Sequence, residues 1–115
     1  GVGLLVAGQD ASGVKLYSTC PSGNYYEHKA AAIGARSQAA RTYLERNLEA
    51  MESSSMDELI QHGLKSLQAS VGEDKLKAAS VSIAVVGKDT PFFILDDAAV
   101  EAYLGAQEAA EEMEQ

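Results

Sequence analysis

The chain has 115 residues, enough for one domain around one core, and a hydrophobic content of 46% excludes a disordered acidic tail as the main reading. A net charge of −8 argues against binding to a phosphate backbone, which needs a basic surface. There is no charged-then-apolar leader and no apolar run near about 18 residues, so no membrane segment is expected.

The chain opens without a methionine, on an apolar run from Val2 to Ala7. This reads as a strand already in progress, and the chain is expected to be a fragment or one half of a processed protein. Gly3 to Gly8 is predicted to be a buried strand, and Gln9 to Gly13 a turn rich in residues that favour one. Val14 to Thr19 alternates apolar and polar residues, so the two strands form an antiparallel hairpin. Cys20 to Gly23 is a second turn, and Tyr25 to Ile33 a third strand.

From Ala35 the period changes. Ala40, Tyr43, Leu44, Leu48 and Met51 share one face of a helix running to about Met51. Gly34 stands at the junction and is expected to take a conformation that a side chain would resist. Ser55-Met56-Asp57-Glu58 fits a capping box opening a second helix. Its apolar stripe is Met56, Ile60, Gly63, Leu64, Leu67 and Val71, with Gly63 suggesting close approach to a neighbour and Gly72 ending the helix. Ser80 to Val86 is a β-branched strand, Gly87 to Pro91 a turn, and Phe92 to Leu95 the returning strand. Asp96 or Asp97 then caps a last helix from about Ala98, with Val100, Tyr103 and Leu104 inward. Residues 105–115 read as an acidic, mobile tail, with Glu108, Glu111, Glu112 and Glu114. Three strands, two helices, two strands and a helix suggest α+β packing.

Chemistry is sparse. No G-x-S-x-G elbow occurs, and Ser37 reads as a first-turn or capping serine. Cys20 cannot form an internal disulfide and reads as an unreactive structural thiol; a single thiol fits a reducing compartment. His28 and His62 lie far apart, without a second ligand at zinc spacing, so no metal site is expected. His28 reads as a strand-surface or subunit-contact residue, and His62 as the edge of the second helix. The glycines Gly1, Gly3 and Gly8 have the wrong spacing for a dinucleotide fingerprint and lie on a strand, so no cofactor is expected. Asp96-Asp97 could be an acid–base pair, but two acids before a helix ordinarily complement its dipole. Arg36, Arg41 and Arg46 rotate around the first helix, with Glu45 and Glu49 within pairing reach of Arg41 and Arg46.

The stretch Lys29 to Glu45 carries a resemblance. Ile33-Gly34-Ala35-Arg36-Ser37-Gln38 followed by Thr42-Tyr43-Leu44-Glu45 resembles the α-type subunits of the proteasome core particle, and within them those of the sixth α-ring position (alpha type-1 or type-6). Gly1 to Leu5, Cys20 to Tyr25 and Val86 to Asp89 agree with it. The resemblance runs from Gly1 to about Tyr103 and corresponds to the C-terminal half of a family member, residues 1–104 here.

What it implies is part of a four-layer αββα sandwich, the architecture of N-terminal nucleophile hydrolases. Gly34, Arg36, Ser37, Gln38, Thr42, Tyr43, Leu44 and Glu45 would be signature residues of structural rather than catalytic type, with Tyr43-Leu44-Glu45 anchoring the helix on its sheet. The implied role is a non-catalytic subunit of the α ring in ubiquitin-dependent protein degradation, in the cytoplasm and nucleus. It would contribute to ring assembly, substrate access and docking of the regulatory particle. Its implied partners are neighbouring α subunits, β-ring subunits and the regulatory particle, with no nucleic acid and no membrane. The rival is a fragment of a β-type or other N-terminal nucleophile hydrolase, which needs Thr, Ser or Cys at its first position where this sequence has Gly1. A third reading is an independent binding domain.

Overall fold

An aspartate sets the first turn. In the computed structural model, which describes residues 3–113, the Asp10 carboxylate accepts the backbone N–H (2.8 Å) and the hydroxyl (2.6 Å) of Ser12. That turn joins β1 (Leu4–Asp10) to β2 (Gly13–Thr19) in an unbroken antiparallel ladder from Leu4↔Thr19 to Asp10↔Gly13. Gly13 takes φ 118°, which a side chain would resist. The hairpin is as expected, but β1 runs two residues further and is not buried: Leu4, Leu5 and Val6 are all exposed. The readings placed on Gly1, Val2 and Glu114, and on the side chains of Glu111 and Glu112, lie outside the described residues.

A turn closed by the Cys20 N–H on the Asn24 carbonyl (2.9 Å) leads into β3 (Tyr25–Glu27), antiparallel to β2. The sheet order is β1-β2-β3. The third strand was expected to reach Ile33 but stops at Glu27, with one further ladder bond from the His28 N–H to the Leu16 carbonyl (2.8 Å). Ala30 to Ala32 have little side chain to hold a strand, and alanine is depleted in sheets.

The long first helix is in fact two: α1 (Ser37–Arg46) and α2 (Leu48–Glu52), broken at Asn47. The Asn47 side chain donates to the Tyr43 carbonyl (2.8 Å), competing with the helix's own ladder as Asn side chains do. The expected face is inward: Ala40 and Met51 are buried, and Tyr43, Leu44 and Leu48 half-buried.

α3 (Met56–Val71) starts on the expected capping box, in which Ser55 Oγ accepts the Glu58 N–H (3.3 Å) and the Ser55 N–H reaches Glu58 Oε1 (3.4 Å). It ends at Gly72, φ 67°. Ile60 and Leu64 are buried, but Met56 and Leu67 are exposed, so the stripe is narrower than its apolar residues suggest. Gly63 makes no close approach: a Cβ there would meet nothing within 4 Å.

The strand expected over Ser80 to Val86 is shorter: a 3-10 turn takes Ala78–Ser80, residues 81–83 are irregular, and β4 is Ala84–Gly87. β4 pairs antiparallel with β5 (Thr90–Ile94), with an irregularity between Val85 and Gly87. α4 (Asp97–Met113) is capped by Asp96, whose Oδ1 accepts the Ala99 N–H (2.8 Å). It continues past Gly105, where the sequence had suggested a tail, and Gln107 is buried. Gln107 sits one turn beyond Tyr103 and Leu104 on the inward face, so the apolar stripe ends in a polar residue and the helix does not.

The core lies in the second half of the chain. Ile60, Leu64 (2% exposed), Val81 and Val100 (1%) form it, with Ile83, Val85, Leu95, Tyr103 and Leu104 packed around them. The fold is α+β, as expected.

Candidate functional site

The Lys29–Glu45 stretch folds into a tethered loop and helix. Gly34 takes φ 111° and Arg36 φ 59°, so the chain passes twice through the left-handed region before α1. Glycine does so freely; arginine does so at a cost of about 1 kcal/mol. The Ser37 N–H reaches the Gly34 carbonyl (3.3 Å) and the Ala39 N–H the Arg36 carbonyl (3.3 Å), which closes the first turn without a side-chain cap. Ser37 is a buried first-turn residue and not a cap, with no base beside it among its hydrogen bonds.

Arg41 does not pair with Glu45. Its Nε donates to the Ala32 carbonyl (3.2 Å), and Nη1 lies 3.5 Å from Gln38 Oε1. The arginine therefore staples the helix to the loop that precedes it. The expected Arg46–Glu49 pair is also not formed; the ion pairs among the described residues are Lys15–Glu27 (3.4 Å) and Lys29–Glu52 (2.7 Å). The Glu52 carboxylate holds the Lys29 pKa above its ordinary value. Thr42 Oγ1 donates to the Gln38 carbonyl (3.0 Å) along the helix.

Tyr43 reaches across to α3. Its hydroxyl and His62 Nδ1 share a hydrogen bond of 2.8 Å, with ring centroids 5.9 Å apart, and burial raises the phenol pKa. Thus Tyr43 anchors α1 on a helix, not on a sheet. Leu44 and Glu45 face instead a groove of about 590 Å³ between α1 and the β2–β3 edge, walled by Ala30 to Ile33 and Leu48. Ser18 and His28, 2.7 Å apart, and Cys20 line its other side.

The signature residues are thereby gathered on one helix and its loop, in contacts that hold backbone and helices together. Asp96 is a cap, so the Asp96-Asp97 pair has no acid–base geometry. Among the described residues no cluster of His, Cys, Asp and Glu has the geometry to hold a metal ion. Sequence reasoning missed the two histidine partners and the bond from the Tyr103 hydroxyl to Asp57 Oδ1 (2.5 Å). The Ser18–His28 contact was readable: with Ser18 opposite Tyr26, His28 is the diagonal neighbour on the same face. Tyr43–His62 and Asp57–Tyr103 join separate helices and left no sequence signal.

Residues 1–86 match the family model described as proteasome subunit. The chain belongs to the proteasome subunit family. It is 46% identical to proteasome subunit alpha type-1 of Dictyostelium discoideum over 99% of this chain and 47% of that protein. It is 48% identical to proteasome subunit alpha type-6 of Saccharomyces cerevisiae, over 90% of this chain and 45% of that one. Alpha type-1 of Trypanosoma brucei rhodesiense gives 49% over 90% and 40%. The chain therefore spans just under half the length of these curated relatives. The likeness to alpha type-1 and type-6 subunits agrees with the family signature at Gly34 to Glu45.

Proposed function

We propose that the chain is a non-catalytic, structural part of a proteasome α ring, acting in ring assembly, substrate access and docking of the regulatory particle during ubiquitin-dependent degradation. The observation that carries this reading is identity of 46–49% to alpha-type subunits across 90% or more of the chain. The geometry is in keeping with it. Tyr43 and His62 are spent on an interhelix bond and Asp96 on a cap, and Ser37 is buried at a helix start. Its partners in this reading are neighbouring α subunits, β-ring subunits and the regulatory particle, in the cytoplasm and nucleus.

The test is to express the tagged chain with its α-type partners in a eukaryotic cell and isolate what it carries. Recovery in a particle that contains α and β subunits, with no fluorogenic peptide cleaved by the purified chain alone, is the expected result. Peptide turnover that copurifies with the isolated chain and survives inhibitor controls would replace this reading with the hydrolase one.

A further inference from the structure

The two ends of α4 are held by different means. Asp96 caps its start, and Val100 (1% exposed) enters the core. Tyr103 is fastened twice to α3: its hydroxyl donates to Asp57 Oδ1, and its carbonyl accepts from Gln61 Nε2 (3.1 Å). Beyond Leu104 these attachments stop. From Gly105 to Ala110 every residue but Gln107 is exposed. Gly105 lies in the helix interior, where glycine weakens a helix, and no packing requires it: a Cβ there would meet nothing within 4 Å. Gln107 is 6% exposed, and its Oε1 is buried without a hydrogen-bond partner among the described residues. A buried acceptor left unpaired keeps the full cost of its lost water. The last turn holds no basic residue, so the negative end of the helix dipole is unopposed. Three separate costs thus fall on the far end of α4, and no buried apolar side chain over 105–110 offsets them.

We propose that α4 is jointed at Gly105: residues 106–113 open and close as a unit while Asp97 to Leu104 stay docked, and Gln107 sets the balance between the two states. Closing buries the Gln107 side chain with an acceptor unmet. Opening returns it to water, where its amide is fully hydrogen-bonded. The closed state therefore carries the penalty, and the open state forfeits mainly backbone bonds that water replaces. Tyr103 is the fixed side of the joint, because freeing it would break both of its bonds to α3. Local opening of this kind belongs to the least stable parts of a fold. Two states close in free energy are shifted by any contact that prefers one of them. The joint is thus an order–disorder switch at the far end of α4.

The experiment is amide hydrogen exchange, read by NMR on the purified chain. The amides of residues 106–110 should share one degree of protection, at least about a hundredfold below that of Val100 to Leu104. Val81→Ala opens a cavity in the core, so it should lower protection at Val100 and leave 106–110 as they were. Gln107→Leu removes the unpaired acceptor and should raise protection over 106–110 about tenfold, roughly 1.4 kcal/mol. Gly105→Ala should raise it about fivefold. That position is exposed, so this variant serves should Gln107→Leu fail to fold. A smooth rise of exchange rate from Val100 to Ala110 is ordinary fraying and overturns the proposal. So does a loss of protection over 106–110 in step with Val100 in Val81→Ala, or protection there that neither α4 variant increases.

Discussion

The two halves of this chain solve the same problem differently. From Ser55 onward, α3, α4 and the β4–β5 hairpin close around Leu64 and Val100, which are almost fully buried. From Leu4 to Glu27, three strands pair regularly, yet no residue of them is buried: Leu4, Leu5, Val6 and Val14 stand in solvent, and Leu16 and Tyr17 are half-buried. The strands of both halves pair antiparallel. What distinguishes them is whether a second layer covers the side chains, and it is that layer, more than propensity, that stabilises a sheet.

The contrast can be broken at its strongest point first. Leu64→Ala should cost about 2–5 kcal/mol by opening a cavity, whereas Val6→Ala should cost under about 1 kcal/mol, measured by thermal or urea denaturation of both. Equal effects would show that the sheet is as well covered as the helices. Leu44→Asp comes next. Leu44 is half-buried and faces the groove, so a charge there meets water on one side and should cost about 1–2 kcal/mol, not the larger penalty of a sealed interface. Ser55→Ala should cost about 1 kcal/mol through loss of the capping box, seen as a lower Tm and less helicity at fixed temperature. Arg36→Gly should hold or raise Tm by relieving the left-handed φ, a gain of under about 1 kcal/mol; a clear fall in Tm would mean that the guanidinium contributes to the fold.

The smallest effect is one of pH and falls on the hairpin turn. The Asp10 pKa is lowered in the fold by its bonds to Ser12. Its contribution is therefore present above the unfolded value of about 3.9 and is lost as pH falls through the folded value. Amide exchange at Ser12 should quicken in acid relative to a matched Asp10→Asn chain; parallel behaviour of the two would remove the turn from this account.

Much of this was legible, because the legible parts are local. The turn around Asp10 to Gly13, the Ser55–Glu58 box, the Gly72 stop and the positive φ of Gly34 are each set by residues within four positions of one another. So was the family, since its signature is one continuous stretch. The misses turned on which acceptor a polar side chain took. Tyr25 to Ile33 looks like a strand until Arg41 claims the Ala32 carbonyl. The helix of Ala35 to Met51 reads as continuous until Asn47 turns on Tyr43. Arg41–Glu45 has the right spacing, but an arginine offered a backbone carbonyl and a glutamate on its own helix took the carbonyl. Nothing in the sequence ranks those two acceptors.

The position of the core along the chain has a consequence for synthesis. Ile60, Leu64, Val81 and Val100 are the residues around which the molecule closes, and all lie beyond the midpoint. Translation releases β1, β2 and β3 before any of the four has left the ribosome. At about 5–20 residues per second, the hairpin waits several seconds with Leu4, Leu5 and Val6 on show before the core that lies beyond it can close.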